Sequence, residues 1–246
     1  MKWVLSAGLV VFLAAIIAFA ITPARFVMDQ VTARDPSVRY AVASGTVWDG
    51  RVENVLYGIQ PVGDVAFRTS PMALLIGTIS GEFSLSGGSI TGEGKVSSGL
   101  GGRTRLADIR AMGGTRDLLN LQQEVRDLNG QFRLNLSELV IDDQLCEIAE
   151  GTVWTDILTR TEARWNWVGP ELSGPVSCAD GDLLVALSGA TPAGERVNAS
   201  LEVGLDARGS FFAEVFTQNS DTANALSLLG FVSEGQDRYT YRHSIE

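Results

Sequence analysis

Apolar and polar residues alternate with a period of two along most of the chain. Every odd position is apolar and every even position is polar in VNASLEV, residues 197–203. The same period recurs in QFRLNLS, residues 131–137, and in TISGEFSLS, residues 78–86, after which Gly87-Gly88 predicts a turn. Strands of this kind have one dry face and one wet face, as antiparallel sheets do. The pattern therefore predicts a mainly β chain folded as a twisted antiparallel sheet.

Helical patterns are few, and those after the first follow blocks of strands. Residues 26–36 predict a short helix before the chain becomes extended. Residues 117–128 place leucines and a valine on one helical stripe. A further helix is predicted in NSDTANALSLLGF, with Ser220 or Asp221 as its N-cap and Gly230 as its terminator.

A short sequence occurs twice in the chain. GTVW at Gly45–Trp48 returns at Gly151–Trp154, and residues further along each copy are similar in the same order. This predicts two repeated halves, residues 37–141 and 142–246, although chance similarity of four residues in a chain rich in valine and glycine is the alternative.

The residues of this motif suit a strand that leaves a glycine bend. Gly45 and Gly151 supply the bend, and Trp48 and Trp154 are predicted to be anchors in the core. Stacking of a ligand on the two indoles is the alternative role.

The N-terminal segment is long and apolar. Residues 3–24 contain no charged side chain and would extend about 33 Å as a helix, enough to cross a hydrocarbon core of about 30 Å. We predict a cytoplasmic tip and transmembrane anchor at 1–25, a juxtamembrane helix at 26–36 and an exported β-rich domain at 37–246. A cleaved secretory signal ending near Ala18-Phe19-Ala20 is the alternative, and it also exports the remainder of the chain.

Both cysteines follow this segment. An even number of cysteines in an exported domain favours a Cys146–Cys178 disulfide, with two free thiols or half of a metal site as alternatives. Because the basic residues flanking the apolar segment are balanced, the cysteines decide the orientation, with the N-terminus in the cytoplasm and the domain outside.

Charge and motifs predict little chemistry. The net charge of −10 disfavours nucleic acid as a partner. His243 is the only histidine, and no nucleophile elbow or phosphate-loop spacing is present. We therefore predict no catalytic, cofactor-binding or metal-binding residues, and a protein that is not an enzyme.

Several segments together resemble the type II secretion system protein N family of Gram-negative bacteria. They are TPARFV and ASGTVWDGRV near the N-terminus, CEIAEGTVWTD and GPELSGPVSCADGDLLVALSG in the second half, and ALSLLGF near the end. Cys146 and Cys178 match the paired cysteines of the family, and Gly169–Gly174 matches its glycine-proline run. The resemblance implies a single-pass inner-membrane protein with a periplasmic β-rich domain, distantly similar to AsmA-like proteins.

Two functions follow from this resemblance. One is a structural subunit that contacts the bilayer through residues 3–24 and docks inner-membrane secretion proteins through its β domain. The other is a periplasmic module that binds or transfers lipid, with phospholipid as an additional partner. Two halves packed face to face would bury the apolar strand faces, whereas one continuous sheet would leave them open as a groove.

Overall fold

The protein is built around one large antiparallel sheet. The structure, a computed structural model, describes residues 21–74, 77–99, 101–119, 123–162, 167–204 and 208–245. The strands are β1 (Val38–Arg39), β2 (Val42–Gly45), β3 (Asp49–Tyr57), β4 (Gln60–Thr69), β5 (Thr78–Ser86), β6 (Ile90–Gly99), β7 (Thr104–Gly114), β8 (Gln131–Asp142), β9 (Leu145–Thr155), β10 (Leu172–Ala179), β11 (Asp182–Ala190), β12 (Arg196–Val203), β13 (Gly209–Phe216), β14 (Val232–Ser233) and β15 (Arg238–Ile245). The helices are α1 (Ala24–Arg34), α2 (Pro71–Leu74), α3 (Gln123–Arg126) and α4 (Ser220–Leu228), with 3-10 turns at Thr115–Asp117 and Ile157–Arg160.

The strands follow one another across the sheet almost in chain order. From β3 to β13 each strand pairs with the next, β1 and β2 both pair with β3, and β15 lies between β13 and β14. The first and last strands of this order are not paired with each other, so the sheet is open. The prediction of a mainly β, antiparallel fold is confirmed.

The predicted boundary between repeats lies within this sheet. Residues 141 and 142 end β8, which pairs with β9 from Phe132 opposite Thr155 to Asp142 opposite Leu145. The hydrogen-bonded sheet therefore continues across the boundary. The two predicted halves form one continuous sheet instead of two sheets packed face to face. The division into two repeated halves itself stays a prediction.

The predicted anchor lies mostly outside the described residues. Residues 3–20 of the segment 3–24 are among those not described. Within the part of the chain that the structure describes, no helix is long and apolar enough to cross a membrane. Helix α1 occupies residues 24–34, where the sequence predicts a short helix at 26–36.

The predicted helix at 117–128 is shorter in the structure. Thr115–Asp117 form a 3-10 turn, and Leu118 and Leu119 are not helical. The reason is a long-range contact with the β4 residue Gln60, whose amide accepts from the Leu119 N–H at 2.6 Å and donates to the Asp117 carbonyl at 2.9 Å. These backbone groups are paired with a side chain instead of with a helical turn.

The two faces of the sheet differ in character. Strand registers place one row of mostly apolar residues across β4 to β10, and a second row continues across β11 to β15. We call the side carrying these rows the apolar face: Val65, Leu85, Gly92, Ala111, Leu134, Val153 and Gly174, then Leu187, Ala199, Ala213 and Tyr241. The opposite side is the charged face, which carries Arg68, Glu82, Glu93, Lys95, Arg105, Arg110 and Glu138.

Two clusters make up the core on the apolar face. The central cluster comprises buried Leu136, Leu139, Cys146, Ala149 and Val176, all from strands β8 to β10. The terminal cluster is formed where Trp167 and Leu226 cover Leu172, Val197 and Val215. The C-terminal part of the apolar face is therefore covered by α4 and by the segment that follows the Ile157–Arg160 turn.

Helix α4 is positioned by its own cap. Its N-cap is Asn219, whose side chain accepts from the Asp221 N–H at 2.9 Å, so the prediction of Ser220 or Asp221 is wrong by one or two residues. Gly230 follows the helix with φ of +86°, in the left-handed region that favours glycine, as predicted.

Candidate functional site

The two cysteines form a disulfide in the central cluster. Cys146 near the start of β9 is bonded to Cys178 near the end of β10, with Cα atoms 5.5 Å apart. The bond joins two neighbouring antiparallel strands beside buried Leu139 and Val176. Its position indicates a structural staple, since both sulfur atoms are consumed by the bond.

The two copies of GTVW have different local structures. In the first copy Gly45 ends β2 with φ of +80°, and a Cβ there would lie 2.4 Å from the Asp49 carbonyl oxygen. Trp48 precedes β3 outside any strand and is half-buried. In the second copy Gly151 and Trp154 both lie inside β9. The motif therefore forms a turn once and part of a strand once.

Trp154 lies among charged side chains. Its Nε1 donates to Glu171 Oε2 at 3.0 Å, and the Arg133 guanidinium carbon lies 4.7 Å from the centre of its ring. A cation over an indole is favourable by about 0.5–1 kcal/mol at an exposed site. Neither tryptophan of the repeated motif is among the buried hydrophobic residues of the described chain.

Ion pairs between neighbouring strands cover much of the charged face. Lys95 pairs with Asp108 at 2.9 Å, and Arg105 pairs with Glu138 at 2.9 Å. The hydrogen bond and charge of Lys95 lower the pKa of Asp108. Exposed pairs of this kind stabilise a fold by about 0–1 kcal/mol each.

This face also holds a shallow cleft across β3 to β7. The cleft is lined by both signs of charge, including Arg68, Glu82, Lys95, Asp108 and Arg110. A surface of mixed charge has no single-sign field of the kind that attracts nucleic acid.

No group of three or more His, Cys, Asp or Glu that could hold a metal occurs in the described ranges. His243 is exposed on β15, stacked on Tyr241 with ring centres 6.4 Å apart. That the protein is not an enzyme and needs no cofactor stays a prediction.

A buried carboxylate that the sequence pattern does not reveal holds the terminal cluster together. Glu195, 8% exposed, accepts hydrogen bonds from Trp167 Nε1 at 2.6 Å, Thr217 Oγ1 at 2.7 Å and Thr222 Oγ1 at 3.0 Å. These donors come from the loop before β10, the residue just after β13 and helix α4. Glu195 therefore joins three separate parts of the chain. In the sequence it stands between Gly194 and Arg196, where a glutamate indicates only a solvated turn.

A second buried side chain has a similar role near β4. Gln60 donates to Ser89 Oγ at 2.6 Å, in addition to its bonds with Asp117 of the 3-10 turn and with Leu119. Gln60 thus ties the β3–β4 turn to the β5–β6 turn and to the segment after β7.

The apolar face is less covered at β4 to β7 than at the C-terminal strands. Phe67 and Phe83 are opposite each other on β4 and β5 and are only half-buried. Each ring lies against a glycine of a neighbouring strand: a Cβ at Gly50 of β3 would be 2.5 Å from Phe67, and one at Gly94 of β6 would be 3.0 Å from Phe83. Large aromatic groups with partial exposure are typical of a surface that can accept apolar ligands or partners.

The two edges of the sheet are finished differently. At the first edge, α1 packs against β1 and β2, and Pro23 forms an antiparallel bridge with Thr46. At the last edge, β14 pairs only with Tyr239 and Thr240 of β15. The remainder of β15 has no strand beyond it within the described residues.

Comparison with known proteins identifies one family. The model of the family described as type II secretion system (T2SS), protein N matches residues 36–242, which is most of the chain. No curated protein and no solved structure matches the chain significantly.

Proposed function

The chain belongs to the protein N family of type II secretion systems, and from that premise we propose that it is an accessory structural subunit of such a system. In this proposal residues 3–24 anchor it in the inner membrane, with the N-terminus in the cytoplasm and residues 37–246 in the periplasm. The β domain docks other inner-membrane components of the system. The observation that carries the proposal is the family match over residues 36–242.

The structure of the sheet supports a docking role. An open sheet ends in strands whose outward N–H and C=O groups have no partner, and adding a strand there joins two β domains through main-chain bonds. The disulfide and the two buried clusters give this scaffold a fixed frame.

Co-purification from native membranes tests the proposal. The tagged full chain is extracted in mild detergent from cells that assemble the secretion system, and the bound proteins are identified by mass spectrometry. We expect inner-membrane secretion subunits in stoichiometric amounts. Recovery of none of them, with the chain itself intact and disulfide-bonded, would contradict the proposal.

A second candidate function is lipid binding on the apolar face. The observation that favours it is the continuous sheet, which leaves Phe67 and Phe83 half-buried instead of packing them under a second sheet. Phospholipid that co-purifies with the chain, and is lost in a Phe83→Asp variant that still folds, would support it. A lipid content equal in the wild type and this variant would count against it.

A further inference from the structure

We propose that the uncovered edge of β15, at Arg242 and Ser244, is where a partner strand adds to the sheet, and that the partner carries a carboxylate opposite Arg242 and apolar residues on its other face. This inference rests on the proposed function, because it names the surface through which the subunit docks. The partner is another subunit of the secretion system.

Backbone hydrogen bonds show which groups of β15 face outward. The Glu234 N–H donates to the Arg238 carbonyl, on the side of β15 away from β13. Backbone groups alternate in a strand, so those of Thr240, Arg242 and Ser244 point to the same side. Thr240 is opposite Val232 of β14, which leaves Arg242 and Ser244 as the outward-facing residues without a strand partner in the described chain.

The segment between α4 and β14 does not pair with the edge of β15 at Arg242 and Ser244. Gly230 and Phe231 run towards Tyr241, but their N–H groups donate to the Ser227 and Leu226 carbonyls of α4. The rings of Phe231 and Tyr241 pack together with centres 5.4 Å apart. The α4 turn therefore covers part of the face beside β15 and leaves its edge accessible.

Side chains at this edge specify the kind of strand that fits. Arg242 is exposed on the charged face, lies over the Phe212 ring at 5.2 Å and has no ion pair within the described residues. Tyr241 and His243 stand on the opposite face, where Phe211 and Phe231 already form an aromatic group with Tyr241. An added strand with an acidic residue beside Arg242 and apolar residues beside Tyr241 would extend both the charged face and the apolar face of the sheet.

A second copy of this chain fits the edge poorly. Antiparallel self-pairing centred on His243 would place His243 opposite itself and Arg242 opposite Ser244, so no carboxylate would meet Arg242. Each chain also carries a net charge of −10, which opposes self-association. The complementary partner is therefore a different protein.

Proline substitution tests the edge without removing an internal bond. The Ser244 N–H points away from β13, and proline is tolerated at such a position of an edge strand. Ser244→Pro should therefore fold but lose one donor to an added strand, whereas Ser244→Ala keeps it.

The readout is the amount of identified secretion subunits that co-purify with each full-length variant from native membranes. We expect at least a tenfold loss with Ser244→Pro and with Arg242→Glu, and wild-type amounts with Ser244→Ala and Arg242→Lys. Protease resistance and an intact disulfide verify folding. Should Ser244→Pro fail to fold, Arg242→Glu, at an exposed side chain, still decides the result.

A photo-crosslinking amino acid at position 244 gives an independent readout. We expect a heterotypic adduct with a secretion subunit, and a homotypic adduct of two copies would overturn the inference. Equal recovery of partners with wild type, Ser244→Pro and Arg242→Glu would also overturn it while leaving the proposed function intact. If wild type itself recovers no secretion subunit, the proposed function fails, and this inference with it.

Discussion

At the scale of single residues, Glu195 shows how one buried carboxylate can join three parts of the chain by hydrogen bonds, in addition to their hydrophobic packing. The carboxylate accepts from three neutral donors on three elements, and no buried side-chain polar atom in the described chain lacks a partner. Removing the carboxylate would leave all three donors buried without a hydrogen-bond partner. An unpaired buried donor costs about 1–3 kcal/mol, more than a made bond contributes.

We therefore expect Glu195→Ala to lower the free energy of unfolding by about 3 kcal/mol or more. Glu195→Gln should cost less, because the amide oxygen still accepts from part of the set. Urea unfolding of the full chain in detergent measures both. Glu150→Ala, an exposed glutamate on β9, is the matched control and should change stability by less than about 0.5 kcal/mol. Equal losses of stability in Glu195→Ala and Glu150→Ala would contradict this role of the Glu195 hydrogen bonds.

A second carboxylate predicts a pH dependence. Burial raises the pKa of Asp156, but hydrogen bonds from the Gln131 N–H at 2.6 Å and from Arg160 at 2.8 Å outweigh it, so the pKa is lowered. Because the pKa of Asp156 is lower in the folded than in the unfolded chain, its ionised carboxylate stabilises the fold. This stabilisation is fully present above the unfolded pKa of about 3.9 and is lost as the pH falls through the folded pKa.

The stability difference between wild type and Asp156→Asn should accordingly be larger at neutral pH than below about pH 3. Urea midpoints measured at both pH values give the difference. Asp143→Asn, at the β8–β9 turn, controls for general effects of charge. A difference that does not change with pH would show that the carboxylate charge is unimportant here.

At the scale of elements, the period-two pattern predicted strands well and helices poorly. Residues 197–203 and 131–137 are strands with the expected apolar side, since alternation reports directly on which face is buried. The 117–128 helix was overestimated because Gln60, far away in sequence, binds its first residues. The identical GTVW copies diverge for the same reason: their neighbours in space, not their own residues, decide turn or strand.

The β9–β10 pair carries a covalent element that the cysteine count did predict. Cys146 and Cys178 are 32 residues apart, and closing such a loop in the unfolded chain corresponds to about 3–4 kcal/mol in the chain-entropy estimate. We expect the double variant Cys146→Ala, Cys178→Ala to unfold at lower urea by this amount, and reductant to destabilise only the wild type. Sensitivity of the double variant to reductant would contradict this account.

At the scale of the whole molecule, the structure is a single open sheet whose two ends differ. Pattern and motifs predicted the antiparallel class, but they did not predict that one sheet of 15 strands would form without a break. Alternation fixes which residues share a face and is silent on how many strands a sheet contains. The Glu195 and Gln60 contacts were likewise invisible, because each depends on residues at least 22 positions away.

The remaining whole-molecule prediction concerns the apolar segment 3–24, which decides whether this sheet works tethered to a membrane. We expect the full chain to stay in the membrane pellet after alkaline carbonate extraction and to keep its uncleaved mass of 26.3 kDa. Leu13→Lys should reduce retention, since a lysine at the centre of a span costs about 2.5–3.5 kcal/mol, and Leu13→Phe should not. A soluble chain shortened near Ala20 would instead establish a cleaved signal. In that case the docking edge on β15 would act on partners from the periplasm without an anchor of its own.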